Sequence, residues 1–270
     1  MPWWHKNNIR MIQNNIRDVD VSMDIDRHIE WLKSFDVNVL QIGCGGITAF
    51  HPSKLDCQVV NPYMKGDFFG EVLKKCHENG IRVIARFDFS KTHESLFEKY
   101  PEWYSRDMRN EPVRYHDTVA TCVNGEYQRE KSLEIIREVI TKYPVDGIFF
   151  NMFGYITNDY SGNYVGICQC ENCKKRFKEM YGEELPVKED LNDPVFIKYL
   201  EFKKRTTDGI LYRIHELVQS VSPEIAVSTY GTTHGVDIVR NESNSALDRP
   251  LPFWIYSSED NVSQIDRKSV

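Results

Sequence analysis

The feature that most constrains the fold of this sequence is a regular alternation of short apolar segments with amphipathic helical ones. Six segments have the length and the β-branched and aromatic content of buried strands. They cover residues 9–16, 37–42, 81–89, 145–153, 225–230 and 253–257. Nearly continuous apolar strands separated by helices are typical of a parallel sheet that is covered on both faces. The sequence therefore predicts an α/β fold made of β-then-α units.

Between the predicted strands, apolar residues recur at helical spacing. The predicted helices cover residues 23–35, 68–79, 94–100, 127–142, 171–181 and 194–221. The glycines after the second strand, Gly43, Gly45 and Gly46, lack the spacing of a dinucleotide site. A (β/α)8 TIM-type barrel is therefore favoured over an open doubly wound sheet. Because such a barrel has eight strands, we predict one barrel domain over residues 1–270, incomplete at its C-terminus and apparently truncated after about six strands.

Three cysteines, Cys168, Cys170 and Cys173, lie within six residues of one another. A loop this short directs successive thiolates at a common centre, where they can surround one soft cation. Tetrahedral zinc needs a fourth ligand, and Cys122 is our candidate for it. Four thiolates leave no position for a substrate, so the sequence predicts a structural zinc site.

Charge and hydropathy restrict the possible partners. A net charge of -6 argues against binding to a nucleic-acid backbone, which requires a basic surface. No run of 18 apolar residues exists, and the first residues lack the apolar core of a signal peptide, so we predict no membrane span and a cytoplasmic location with reduced thiols. The 12% aromatic content suits carbohydrate binding, although ordinary core and surface aromatics explain it better.

Polar residues cluster where the predicted strands end, and barrels place their chemistry at the C-terminal ends of their strands. The candidates for substrate contact or catalysis are Asn15, Arg86, Asp88, Lys91, His116, Asn124, Glu126, Asn151, Tyr155, Tyr230 and Glu259. Amides, carboxylates and aromatic rings are the groups that bind sugar hydroxyls and the flat C–H faces of sugars. This rim therefore predicts a carbohydrate ligand.

Cleavage of a glycosidic bond requires two carboxylates across the scissile bond. Asp88 and Glu259 are the catalytic candidates on position alone. An ion pair with Arg86 or Lys91 explains Asp88 equally well, and a solvated loop acid explains Glu259 equally well. Glu126 precedes a helix, where an acid that complements the helix dipole is the better interpretation.

Longer segments of the sequence resemble a known family. They cover residues 3–13, 61–67, 81–91, 122–127, 145–155 and 166–173. These segments are similar to the hypothetical glycosyl hydrolase 6 type, a glycoside hydrolase family whose barrel often precedes a β-galactosidase trimerisation-type module. The resemblance covers nearly the whole chain. It implies a (β/α)8 barrel related to α-L-fucosidases and to zinc-containing β-galactosidases, an oligosaccharide or glycoside substrate, and a homo-oligomeric parent protein, namely a trimer.

The resemblance also bears on the site residues. The four-cysteine zinc site of such β-galactosidases is similar in form to the cysteines named above. Fucosidase-like barrels use an Asp at the end of the fourth strand as nucleophile, and the matching residue here is Asn151. An amide cannot form the glycosyl ester, so either the nucleophile lies elsewhere (Asp88, Glu259 or a strand outside this chain) or the protein binds sugar without cleaving it.

The expected activity is hydrolysis of a terminal glycosidic bond by a glycosidase that is most similar to α-L-fucosidases, with a β-galactoside as the alternative substrate. The resemblance leaves open whether this 270-residue chain is active alone. A non-catalytic sugar-binding barrel is the alternative from another class, which Asn151 favours and the strand-end carboxylates oppose. A zinc-organised interaction module is a third interpretation, but it leaves the polar rim unexplained.

Overall fold

The computed structural model describes residues 3–5, 8–151, 154–159 and 162–229. Its strands are, in chain order, β1 (Met11–Asn14), β2 (Val39–Gly46), β3 (Arg82–Asp88), β4 (Lys91–His93), β5 (Arg114–Tyr115), β6 (Thr118–Ala120), β7 (Gly147–Asn151) and β8 (Ala226–Thr229). Its α-helices are α1 (Ile25–Ser34), α2 (Phe68–Glu78), α3 (Glu94–Lys99), α4 (Ser132–Lys142), α5 (Glu171–Tyr181) and α6 (Pro194–Val221). A π-helical turn, Tyr127–Lys131, leads directly into α4.

The centre of the fold is a five-stranded sheet in the order β1-β2-β3-β7-β8, in which every neighbouring pair is parallel. Strands that lie side by side in chain order, with helices between them, form the wall of a (β/α) barrel. Five of the predicted strands are confirmed, and the predicted sixth, 253–257, lies outside the described residues. Within the described part of the chain the sheet stays open, with β1 and β8 at its two edges.

The two faces of the sheet have different characters because side chains alternate along a strand. The outer face carries Leu40, Val83, Phe87 and Ile148, which join the large core formed with the helices. The opposite face carries a separate, smaller cluster. Membrane-spanning helices are not found among the residues that the structure describes.

β2 runs further than the sequence pattern indicates, through the glycines to Gly46. Its register against β3 shifts between Gly43 and Gly45. Gly46 has a φ of 102°, and a Cβ there would lie 2.2 Å from the carbonyl oxygen of Asp88. Only glycine allows this approach, so the glycine run serves to close β2 against the end of β3 rather than to form a loop.

The long connection after β2 is anchored to α4 by one carboxylate. Glu138 Oε2 accepts a hydrogen bond from Ser53 Oγ at 2.6 Å and lies 3.1 Å from Nε2 of the buried His51. Burial raises the pKa of Glu138, but the hydrogen bonds from Ser53 and His51 outweigh burial, so the pKa lies below its ordinary value. The ionised form of Glu138 therefore stabilises the folded protein.

Glu138→Gln is expected to lower the free energy of unfolding by about 1–2 kcal/mol at neutral pH, because charge-assisted hydrogen bonds are lost. A lowered folded pKa gives a contribution that is present above the unfolded pKa and is lost as the pH falls through the folded pKa. The difference between wild type and variant should thus shrink below about pH 4.5, the ordinary Glu value. Urea unfolding at several pH values measures it. Glu134→Gln, one turn earlier, is the control with little expected effect, because the Glu134 side chain is exposed and pairs with Lys131 at the surface of the helix. Equal losses in both variants would contradict the role of Glu138 as an anchor.

Candidate active site

The inner face of the sheet is apolar at the N-terminal end of the strands and polar at the other. A buried cluster fills the N-terminal end; its members are Trp4, Val39, Ile84, Phe149 and Ala226. At inward positions nearer the C-terminal ends the side chains are polar. These polar residues are Gln13, Gln41, Arg86, Asp88, Asn151 and Ser228. The described part of the barrel is therefore plugged at one end and offers hydrogen-bonding groups at the other.

Asp88 occupies the end of β3 and is held by three hydrogen bonds. Its Oδ1 accepts from the backbone N of Ser90 at 3.1 Å and from Ser90 Oγ at 2.5 Å. Its Oδ2 accepts from Nδ2 of Asn151 at 3.1 Å, and the two residues are direct partners in the register of β3 and β7. Because Asp88 is only 8% exposed, the carboxylate has a fixed orientation at the mouth of the barrel.

Arg86 lies two residues before Asp88 on the same face of β3. Its Nη2 is 3.7 Å from Asp88 Oδ2, which is an ion pair but is beyond hydrogen-bond distance. The structure thus brings Arg86, Asp88 and Asn151 together, as predicted for a strand-end site. This single long contact supports the interpretation of Asp88 as an ion-pair partner. The shorter contacts of Asp88 are with Ser90 and Asn151.

The four predicted metal-ligating cysteines meet in one buried cluster, the cysteine cluster: Cys122, Cys168, Cys170 and Cys173. Their Sγ atoms all lie within 4.8 Å of one another, and Cys122 is 3.4 Å from Cys170. These separations are far above a disulfide bond length of about 2.05 Å. Tetrahedral zinc with bonds of about 2.3 Å would place the sulfurs about 3.8 Å apart, so the donor set fits this ion.

Backbone and side-chain N–H groups surround the sulfurs. The amide N of Asn124 lies 3.3 Å from Cys122 Sγ, Asn124 Nδ2 lies 3.3 Å from Cys173 Sγ, and the amide N of Arg106 lies 3.5 Å from Cys168 Sγ. Cys170 is the N-cap of α5, where the helix dipole favours negative charge. Hydrogen bonds with the other thiols, Cys122 first, hold the pKa of Cys168 well below its usual range. Hydrogen bonds within the same cluster raise the pKa values of Cys122 and Cys173, so the N–H groups and the N-terminus of α5, rather than the thiols themselves, are what favours negative charge on these sulfurs.

Asn124 and Tyr155 do not lie in the sugar-contacting position that the sequence suggested. Asn124 Nδ2 donates to Tyr155 Oη at 2.7 Å, and Tyr155 Oη is 2.7 Å from Thr206 Oγ1 on α6. The two residues are 4% and 5% exposed, and burial raises the pKa of Tyr155 well above its ordinary value. Because almost no surface is left for a ligand, we correct their role: they tie the cysteine cluster to α6.

The remaining candidates are spread over the loops. His116 is exposed in the turn between β5 and β6, with a φ of 52°. Lys91 lies on β4, and its Nζ is 5.6 Å from the centroid of the Tyr115 ring. Glu126 has a side chain that is 51% exposed and accepts from Trp103 Nε1 at 3.3 Å, which agrees with a helix-start acid. Asn15 Oδ1 accepts from Gln13 Nε2 at 2.7 Å.

Two predicted residues, Tyr230 and Glu259, lie outside the described residues.

The sequence analysis did not identify Gln41, which is fully buried in β2 and donates from Nε2 to Gln13 Oε1 at 2.6 Å. The available signal was a glutamine inside the apolar run of β2, since a polar residue in a buried strand needs a partner. It also missed Ser90, which holds Asp88.

Residues 24–152 match the family model described as "Hypothetical glycosyl hydrolase 6". The predicted family resemblance is confirmed. The matched segment contains β2 and β3 and ends just after β7, so it includes Arg86, Asp88 and Asn151 of the site described above. No curated protein sequence is detectably similar to this chain.

Solved structures share the fold at low sequence identity. Alpha-L-fucosidase isoenzyme 2 from Paenibacillus thiaminolyticus has a TM-score of 0.63 and 21% identity, over 82% of this chain and 32% of that protein. The β-galactosidase from Bacillus circulans sp. alkalophilus has a TM-score of 0.57 and 14% identity, over 85% and 37%. A hypothetical protein from Ruminiclostridium thermocellum has a TM-score of 0.53 and 14% identity, over 81% and 95%. The barrel-type fold is confirmed, and the chain spans about a third of the length of the two named enzymes.

Asn151→Asp is expected to place a second carboxylate against Asp88, at a position now 3.1 Å from its Oδ2. Two carboxylates this close do not both ionise freely, so one folded pKa of the pair rises. A raised folded pKa stabilises the protein below the unfolded pKa, and that stability is lost as the pH rises. The variant should therefore be less stable than wild type by about 1–3 kcal/mol at pH 7 and nearly equal at pH 4.

Thermal unfolding across this pH range measures the effect of the added carboxylate. Asn151→Ser is the control, since it removes the hydrogen bond to Asp88 without adding a charge, and its loss of stability at pH 7 should be clearly smaller than that of Asn151→Asp. A pH-independent loss in Asn151→Asp would contradict the close pairing of the two side chains.

Proposed function

We propose that this chain forms the substrate-binding wall of a glycoside hydrolase that cleaves a terminal glycosidic bond, with Asp88 as a catalytic carboxylate. The observation that carries the proposal is the carboxylate of Asp88 at the C-terminal end of a central barrel strand, oriented by Ser90 and Asn151. Barrel enzymes place their reacting groups at this end. A fixed carboxylate avoids reorganisation when charge develops on the sugar.

Asn151 has a different role in this proposal from that of the matching Asp in fucosidase-like barrels. Its amide donates to Asp88 and so orients that carboxylate. The oriented carboxylate of Asp88 is suited to act as nucleophile or base. The second carboxylate of the pair comes from outside the described residues, and Glu259 is our candidate for it.

The substrate that we propose is a glycoside of the α-L-fucoside type, with a β-galactoside as the alternative. The likeness in fold to an α-L-fucosidase and to β-galactosidases supports this pair. Asn151 in place of a carboxylate favours a second candidate function, a barrel that binds sugar without cleaving it. The trimeric parent protein and the cytoplasmic location stay predictions.

We also propose that the cysteine cluster holds a structural zinc ion. Four buried thiols at zinc-compatible separations, with N–H groups directed at the sulfurs, support this assignment. Cys122 precedes the π-helical turn, whereas the other three cysteines follow β7 and begin α5. The ion would therefore link the connection after β3 to the connection after β7. These are the two strands that end in Asp88 and Asn151. It would supply rigidity and take no part in the reaction.

Hydrolysis of a panel of nitrophenyl glycosides tests the proposed function. The panel is offered to this chain and to the full-length product of its gene, with α-L-fucoside and β-D-galactoside included. Release of nitrophenol from one sugar by either protein supports a glycosidase. Binding of the same sugars without release by either protein would replace hydrolysis by the sugar-binding function.

A further inference from the structure

The guanidinium of Arg86 is the least satisfied polar group on the inner face of the barrel. Its side chain is 18% exposed, and its Nε is buried without a hydrogen-bond partner. Arginine carries five N–H donors, and none of those of Arg86 makes a hydrogen bond to the described residues. Since an unpaired polar group in a buried setting is destabilising, this side chain requires a partner.

The neighbouring groups do not provide that partner. Asp88 Oδ2 is 3.7 Å from Arg86 Nη2, which is an ion pair but too long for a hydrogen bond, and the carboxylate is held in place by Ser90 and Asn151. Below Arg86 on the inner face lie Ile84 and Phe149, which belong to the apolar cluster and have no acceptor. The open side of the guanidinium therefore faces the mouth of the barrel, where the proposed function places the sugar.

A chain of amides reaches the same face from the neighbouring strands. Gln13 donates to Asn15, and Gln41 donates to Gln13. The Oε1 of Gln41 is buried without a partner. Gln41 is fully buried and pairs in register with Ile84, so its acceptor lies below the part of the inner face that a ligand could reach. The unpaired donors of Arg86 therefore remain for a ligand, and they fit a group rich in acceptors.

We propose that Arg86 forms a subsite for the carboxylate of an acidic sugar, so that the glycoside bound by this barrel carries a hexuronic acid residue in addition to the terminal neutral sugar proposed above. This inference rests on the proposed function for the position of the sugar. A carboxylate matches the planar fork of a guanidinium with two parallel hydrogen bonds, whereas a sugar hydroxyl satisfies one donor.

Binding of free sugars to the 270-residue chain tests the subsite without requiring hydrolysis. D-glucuronate and D-galacturonate are titrated by calorimetry beside D-glucose, D-galactose and L-fucose. We expect at least one hexuronate to bind about tenfold more tightly than its neutral counterpart, because a hydrogen-bonded ion pair is added. Arg86→Met should abolish this preference, and Arg86→Lys should restore only part of it because lysine lacks the fork.

Thermal unfolding without ligand separates a binding role of Arg86 from a structural one. Arg86→Met removes the 3.7 Å ion pair with the buried Asp88, so it should melt below wild type, whereas Arg86→Lys keeps the positive charge and should melt close to it. A reduced uronate preference in Arg86→Lys at a nearly unchanged melting temperature would assign the effect to the guanidinium, and a large drop in the melting temperature of Arg86→Lys would show that Arg86 supports the fold and would overturn the proposal. Equal affinity for acidic and neutral sugars, uronate binding unchanged in Arg86→Met, or no binding of any sugar would also overturn it.

The outcomes distinguish this inference from the proposed function. Hydrolysis of neutral glycosides with no preference for uronates would leave the glycosidase intact and remove the acidic-sugar subsite. Arg86-dependent binding of a uronate without release from any nitrophenyl glycoside, the glucuronide included, would retain the subsite and remove the hydrolase.

Discussion

Cys170→Ser is expected to release zinc from the purified protein and to lower the free energy of unfolding by about 4 kcal/mol or more, an effect typical of a lost metal site. The reason is the position of the cysteine cluster. The Sγ atom of Cys170 lies 3.4 Å from that of Cys122, and Cys170 is the N-cap of α5. Its thiolate therefore links the start of α5 to the segment before α4, which is distant in sequence. Zinc content per chain and urea unfolding measure the two effects.

Cys76→Ala is the matched control for this variant. Cys76 is as fully buried as the cluster but lies in α2, outside the group of four. Its replacement should retain one zinc ion per chain and cost only the packing of a small side chain. Unchanged zinc content in Cys170→Ser would contradict the four-thiolate site, and loss of zinc from both variants would show that the metal depends on general folding instead.

The elements that the sequence predicted well are those in which local pattern and tertiary burial agree. The helices α5 and α6 have the bounds that their periodicity indicated, since their apolar stripes coincide with the faces they bury. β2 was predicted to end four residues early. The sequence pattern predicts a loop at its last glycines, and only the approach of Gly46 to the backbone of Asp88 shows why they belong to the strand. That contact joins residues far apart in sequence, so local composition could not predict it.

The candidate site was predictable in part for the same reason. Strand-end position was enough to place Arg86, Asp88 and Asn151 together, because parallel strands end at one edge of a sheet. Position after a strand was not enough for Asn124 and Tyr155, whose orientation depends on the cysteine cluster and on Thr206 of α6, far away in sequence. Spacing alone brought Cys168, Cys170 and Cys173 together, and Cys122, which the sequence analysis chose as the fourth ligand, joins them in the structure.

Asp88→Asn is expected to lower kcat for hydrolysis of the glycoside by about 10²–10⁴-fold, the range for loss of a catalytic carboxylate. Asparagine keeps the size of the side chain, its one oxygen can still accept from Ser90, and its Nδ2 can donate to the amide oxygen of Asn151 once that amide turns over, so the fold and the binding of sugar should be largely retained. An effect on kcat with little change in KM would indicate that the carboxylate acts in the transition state. Steady-state kinetics on the best nitrophenyl glycoside, with sugar binding measured separately, tests this.

Asp146→Asn is the matched control because it changes the same functional group at the opposite end of the barrel. Asp146 accepts from the amide of Val83 at 2.8 Å and pairs with His77 at 2.7 Å, so its replacement should lower stability and leave kcat unchanged. Ser90→Ala removes one donor to Asp88 and should give an intermediate loss of kcat. If Asp88→Asn retained the wild-type kcat, Asp88 would be a positioning group, and the reacting carboxylates would have to come from residues outside β3.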